Sequence, residues 1–565
     1  MGSPNKVAEY ITSITSKDSK RLSSEEKRIG SADNLDDNDD VASVSSSIDP
    51  TGVTKLHRGL KSRHMQLIAL GGSIGTGLFL GSGMILATSG PASFLIAFIA
   101  LSFVVYFVME YFAEMALFLP VPGNGPIAYV NDFLSPSFGF AIGWNYWYAF
   151  SILIGAEVTA AAMLIEYWTT KVNVGVWITI LLLLIIALNC VSVKVYGEME
   201  ANFVLIKVFV LLILIIVGIV IFFGGGPTHD RLGFRYWKID PFKEHLVGGS
   251  TGRFLGFWTG VIKSGFSFIT GPELITTAIG EAKNPRHTGK KAAKRFIYRL
   301  IFFYVVGSLV IGVIVASNDT RLGGSDVSAS PFVIGIQNAG IPVLNHIINA
   351  AILTSATSAG NSFLYSSSRM LFSMAERGKA PKIFTTTNRA GIPYYAVAAS
   401  SAFGFLGYLN VSKGSAVVFT WLSNLSTISG FIGWVTVGYA YLRWRKVIAY
   451  NGLNERLPYR SRVLPFGTYF VIIFLSILIL TNGYAVFFDF NAGDFLAAYI
   501  TLPIVALLYF GHVLYERIYH GNTNWLTPIE QIEITAHLDA IEQEDADYEK
   551  PVPKNVFQRV WFWIM

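Results

Sequence analysis

Charge is scarce in this chain: 14% of its 565 residues are Asp, Glu, Lys or Arg, while 52% are hydrophobic. Ordinary soluble domains carry about a quarter of their residues as charges. So long a chain with so few cannot cover a water-facing surface in the usual way, and its apolar excess needs a bilayer as solvent. Cysteine is rarer still. Cys190 stands alone, which excludes an intrachain disulfide framework, and no CxxC or Cys/His cluster offers a metal site. No nucleophile–base set or cofactor motif appears either, so an enzyme is not expected. The net charge of +6 is small and sorted by loop, which favours membrane topology over nucleic-acid binding.

What is present is apolar sequence in lengths that cross a membrane. About 20 residues of helix span a hydrocarbon core of about 30 Å. Residues 67–109 hold no charge and are cut in two by Gly90-Pro91. Residues 133–165 are interrupted only by Glu157, residues 172–193 and 208–229 are free of acids and of Lys and Arg, and 254–280 carry only Lys263 and Glu273. Stretches at 300–318, 340–368, 390–412, 414–442, 463–488 and 495–515 bring the expectation to about twelve transmembrane helices.

The loops give an orientation. One holds Lys283, Arg286, Lys290, Lys291, Lys294, Arg295 and Arg299, and two more are equally basic, around Arg377–Lys382 and Arg443–Arg462. The alternate loops are nearly bare, apart from the mixed stretch 230–253. The positive-inside rule therefore puts both termini in the cytoplasm. Residues 1–62 are rich in Ser, Asp, Lys and Glu and are expected to be a disordered cytosolic tail with no cleavable signal peptide. The transporter-like body is assigned to 63–516, and 517–565 to a cytosolic tail whose end, around Phe557 to Ile564, suits the inner membrane interface. Lysines and serines of the tails are candidates for regulatory modification, with ubiquitin ligase machinery as a partner, against a default of plain solvated tail. The sequons at Asn318 and Asn410 fall in expected outer loops and carry little weight.

Two spans contain helix breakers at mid-depth. The first has the run Gly71-Gly72-Ser73-Ile74-Gly75-Thr76-Gly77. Each Gly costs a helix up to about 1 kcal/mol, so the run means either close helix packing or a deliberate unwinding. No strand precedes it, so it is not a nucleotide-binding loop. The sixth has Gly271-Pro272, where proline removes a donor; a simple kink is the plain alternative. Breaks in the first and sixth spans are what a five-plus-five inverted repeat requires. Amide groups of Ser73, Ile74, Gly75, Thr76 and Gly77 would meet a carboxylate, and carbonyls at Thr270 and Gly271 an ammonium. Together they describe a zwitterionic amino acid as the small-molecule partner.

The motifs His57 to His64, Gly71 to Gly77, Gly143-Trp144-Asn145-Tyr146, Phe268 to Glu273 and Glu281 to Arg286 resemble those of fungal amino acid permeases, in the amino acid–polyamine–organocation superfamily. The likeness runs from about residue 55 to 515, and Gly224 to Trp237 with Ser330 to Asn338 bring it nearest the proline permease branch, with the dicarboxylic branch next. The resemblance implies an all-α integral membrane protein of the LeuT type, ten core helices plus two. It also implies proton symport at the plasma membrane and no cofactor. Relatives often end in Phe-Trp-Cys, a lipidation site, whereas this chain ends Trp563-Ile564-Met565.

Buried charges each ask for a reason. Glu157, Lys207 and Glu273 are the deepest and form the expected proton-coupling set. The resemblance suggests that Lys207 stands where sodium-coupled relatives bind an ion; snorkelling is the plain alternative. Glu110 and Glu114 are expected to pair near the inner face, and Lys263 to pair with an acid. Phe266 and Phe268 are candidates to close over substrate, and Ser358 heads the polar residues of the eighth span that could line its pocket. The expected substrates are small and neutral, with proline first and alanine, glycine or γ-aminobutyrate after it. A broad or dicarboxylic permease, or a transport-like sensor, are the alternatives.

Overall fold

A computed structural model describes residues 75–120, 125–190, 193–280, 285–322, 330–388, 391–522, 524–534 and 538–546. The N-terminal tail, Ser73, Ile74 and the C-terminal aromatic cluster lie outside the described residues. Within them every regular element is helical.

Counting begins at α1, Gly77–Ser89, whose first turn is a π-helix over Gly77–Gly81. A turn of π-helix widens the backbone where the glycine run ends, and such turns recur at functional sites. Gly90 (φ 79°) makes a sharp corner, because a Cβ there would lie 2.5 Å from the Asp240 carbonyl oxygen. Proline at the first turn then starts α2, Pro91–Phe118. A short α3 (Pro126–Phe133) leads into α4, Pro136–Glu166, capped by the Ser135 hydroxyl accepting from the Phe138 N–H. α5 (Val174–Asn189) and α6 (Val193–Phe222) follow.

The sixth expected span is two helices. α7 (Gly249–Phe268) stops, and α8 (Gly271–Gly280) begins after Ile269 and Thr270. Thr270 has φ 79°, the left-handed region that a β-branched residue avoids, so the chain is fixed in a true break rather than a kink. Beyond it come α9 (Pro285–Ile314), α10 (Pro331–Asn338) and α11 (Leu344–Glu376). The ninth segment is α12 (Tyr394–Ser401), continued by a 3₁₀ stretch Ala402–Leu409 and the turn Asn410–Lys413. Last are α13 (Ser415–Tyr450), α14 (Phe466–Thr481), the pair α15 (Ala492–Tyr499) and α16 (Thr501–Tyr519), and α17 (Leu538–Ala546).

Where the expected spans are described they are helical, but they are not alike. Among the described residues six helices are long and apolar enough to cross a membrane, and seven if α15 and α16, bent by 44°, act as one. The rest are short, broken or polar. α4 is the axis of the fold, packed most broadly against α11 and α13. Its Gly155 and Ala156, with Gly360 on α11, allow the close approach expected of membrane helices. The outer helices expose apolar rows instead, such as Ile180, Leu183 and Leu184 on α5 and Ile473, Ile477 and Leu480 on α14. That is a lipid-facing belt.

One end of the bundle is closed by the 223–248 loop. Lys243 donates to the Ala87 carbonyl at 2.7 Å, and the Pro241 carbonyl accepts from the Ala92 N–H at 2.9 Å. At the other end the C-terminal segment packs down. Ile532, Ile534, Leu538 and Ile541 are buried, and Arg456 binds Glu542 (2.7 Å) and Asp539 (2.5 Å) on α17.

Candidate functional site

The start of α1 and the end of α7 face a common cavity. Gly75, Thr76 and Gly77 line it from the first break, and Phe266, Ser267, Ile269 and Thr270 from the second. Leu153 and Glu157 on α4 and Phe363 on α11 complete the wall. The glycines are there for proximity. A Cβ on Gly77 would sit 2.8 Å from the Ser267 Cα, so only glycine lets the two breaks come this close.

Helix ends lie at and near this cavity. The start of α1 and the start of α8 present positive ends, while the end of α7 presents a negative one. The Thr270 carbonyl, an expected acceptor, takes the Leu274 N–H at 3.1 Å. The Ser267 carbonyl is occupied by the Tyr304 hydroxyl at 2.5 Å, a clasp from α9 that fixes the last turn of α7.

Glu157 is the single acid on the described lining. It is 2% exposed, and its Oε1 accepts from the Thr76 hydroxyl at 2.9 Å. Behind it Lys207, 1% exposed, interacts electrostatically with both Glu157 and Glu200. Ser358 belongs to this layer rather than to the lining. Its hydroxyl reaches both Glu200 oxygens at 3.1 Å. Glu200 is the residue that sequence reasoning passed over. It lies in a charged run, Glu198-Met199-Glu200, that reads as a loop end. The signal that could have found it is its spacing of seven from Lys207, which puts both on one helix face.

Glu273 is not on the lining. It occupies the first turn of α8, where an anion is favoured, and its Oε1 accepts from Trp434 Nε1 at 2.7 Å and the Tyr146 hydroxyl at 3.1 Å. Gly271 begins the same turn and is also off the lining. Phe268 packs against Phe98 and Tyr304, with ring centroids 5.9 and 4.5 Å apart, and faces away. Phe266 is different. It lines the cavity and also a second one of about 370 Å³ containing Gly81, Met84, Lys263, Phe419, Thr420, Ser423, Asn424 and Thr427. Its ring meets Phe419 edge-on at 5.5 Å, making a two-ring partition between the chambers. Lys263 therefore faces a chamber; no salt bridge joins it to an acid among the described residues. Glu110 and Glu114 do pair as expected, with the Tyr459 hydroxyl at 2.6 Å and with the Tyr441 hydroxyl and Arg445 at 2.7 and 3.4 Å. No group of His, Cys, Asp and Glu among the described residues could hold a metal.

Residues 64–521 match the family model for amino acid permeases. The proline-specific permease of Emericella nidulans is 51% identical over 521 residues, 90% of this chain and 94% of that protein. The proline-specific permease of Saccharomyces cerevisiae is 50% identical, covering 88% of this chain and 81% of its own length. The dicarboxylic amino acid permease of the same yeast is 40% identical over 90% and 86%. Among solved structures, a manganese transporter of Eremococcus coleocola superposes with a TM-score of 0.53 at 14% identity, over 81% of this chain and 94% of the other. That likeness speaks for the fold alone.

Proposed function

The chain belongs to the amino acid permease family, and on that premise we propose that it imports proline by proton symport across the plasma membrane. Its relatives at about half identity are proline-specific. The observation that carries the reading is the cavity between the two breaks. It is lined by the glycine run's end, by Ile269 and Thr270 of the second break and by one acid, Glu157, which suits a small zwitterion. A carboxylate sits at the start of α1, where amide hydrogens and a positive dipole meet, and the secondary ammonium at the end of α7. The ring packs on Leu153, Ile269 and Phe363 under Phe266. No cation lines this chamber among the described residues, so a second, side-chain carboxylate has no partner, which disfavours the dicarboxylic alternative.

Glu157 is the proton carrier in this reading, because it alone of the three deep acids touches the chamber while facing Lys207. Lys207 supplies fixed positive charge in place of a bound cation, and Glu273 holds the start of α8 in position. Twelve spans in a LeuT-type arrangement, with both termini cytoplasmic, complete the proposal. The break at Thr270 and the π-turn over Gly77–Gly81 support that reading.

The test is uptake of labelled proline into permease-deficient yeast. Accumulation should rise as external pH falls, ignore sodium, and be displaced by cold proline better than by glutamate or arginine. In Glu157→Gln, proline exchange should persist while pH-driven accumulation is lost. Sodium-dependent uptake, or accumulation by that variant equal to wild type, would remove Glu157 and Lys207 from the mechanism.

A further inference from the structure

The basic end of α9 holds an arrangement that transport does not use. Lys290, Lys294, Tyr298 and Phe302 are all exposed and recur every four residues, so they form one stripe down one helix face. Its order is polar to apolar: two cations, then an aromatic with a hydroxyl, then a bare ring. At about 1.5 Å per residue the steps are about 6 Å apart, and the profile matches a bilayer leaflet from headgroup to acyl chain.

The two lysines also converge. Their ammonium groups lie 5.2 and 5.5 Å from the centroid of one ring, Tyr459, in the segment between α13 and α14. Like charges at this spacing repel. Neighbouring cations are provided for: Arg286 bonds the Phe118 carbonyl at 2.9 Å, Arg445 has Glu114 at 3.4 Å, and Arg456 has Glu542 at 2.7 Å. Lys290 and Lys294 make no ion pair among the described residues. The Tyr459 hydroxyl itself donates to Glu110 at 2.6 Å. Beside the stripe stands Tyr106 of α2, close to Tyr298.

We propose that Lys290, Lys294 and Tyr459 form a site for the phosphate of an anionic glycerophospholipid of the basic-side leaflet, with an acyl chain lying along Tyr298 and Phe302. A phosphate between the two ammonium groups relieves their repulsion and adds charge-assisted hydrogen bonds. The acyl chain uses apolar surface that faces lipid in any case. The bound lipid joins α9 to the 457–462 segment beside Tyr459.

Native mass spectrometry of the detergent-purified full chain tests this, with phosphatidylinositol, phosphatidylcholine and inorganic phosphate as probes. Wild type should retain phosphatidylinositol in preference to phosphatidylcholine. Lys290→Gln with Lys294→Gln should bind it roughly thirtyfold more weakly, about 1 kcal/mol for each lysine removed. Lys446→Gln, an exposed lysine outside the site, should leave retention unchanged, and monodispersity checks that each variant is folded. Equal retention of neutral and anionic lipid, or of anionic lipid by wild type and double variant, would overturn the site. Displacement of the lipid by inorganic phosphate at like concentration would make it a free-anion site and overturn the lipid assignment.

Discussion

Gly77→Ala isolates the contact on which the cavity depends. The added Cβ would lie 2.7 Å from the Ser267 Oγ and 2.8 Å from its Cα, and the Cα cannot rotate away. Ordinary carbon contacts are about 3.5–4.0 Å, so the two breaks must separate by most of an ångström. Overpacking of this size costs about 1–3 kcal/mol. If the strain falls on the closed, substrate-bound state, half-saturation for proline rises about five- to 150-fold. Gly81→Ala is the matched control, one turn further along α1, where the nearest atoms to a new Cβ are 3.9 Å away. The assay is initial-rate uptake of labelled proline in permease-deficient yeast, with surface amount measured by fluorescence. A Gly77→Ala transporter with wild-type half-saturation, or an equal defect in Gly81→Ala, would refute the reasoning.

Glu200→Gln leaves Lys207 with one acid instead of two; breaking a buried pair costs about 3–5 kcal/mol, so less folded protein should reach the surface, read by fluorescence-detected gel filtration. Adding Ser358→Ala should cost little more, because both changes remove the same 3.1 Å bonds. Phe266→Ala merges the two chambers and should raise half-saturation for proline with little change in maximal rate, read from the same uptake curves. In the loop after α9, the Arg321 guanidinium bonded to Asp319 (2.6 Å) holds that carboxyl below the usual carboxylate range. A depressed value stabilises at neutral pH and loses its effect only as pH falls through it, below about 3.9 here. Amide exchange in residues 315–322 should therefore stay protected at the mildly acidic pH that drives uptake, and Arg321→Gln should move the loss of protection to higher pH.

Much of the architecture was legible because membrane segments announce themselves by length and apolarity. The break in the sixth span was legible because glycine and proline act locally: Gly271-Pro272 sits at the left-handed Thr270, and Gly77, at the end of the glycine run, begins the π-turn. What escaped depends on which helices meet. Nothing local in Leu153 or Phe363 says that α4 and α11 supply the side walls. Ser358 looked like a pocket residue until Glu200 appeared opposite it. Glu200 was hidden by its own surroundings, since a second acid two residues away made the run look solvated. Glu273 is buried as expected, yet Tyr146 and Trp434 turn it away from the chamber, a result of α4 and α13 packing that spacing does not encode.

A structure of the chain in lipid with proline bound tests the central claim most directly. The account predicts density between the breaks, with a carboxylate oxygen about 2.7–3.2 Å from an amide nitrogen of Thr76 or Gly77 and the ring nitrogen at the end of α7. Proline seated only in the chamber beyond Phe266, or α7 and α8 joined as one continuous helix through Thr270, would contradict it.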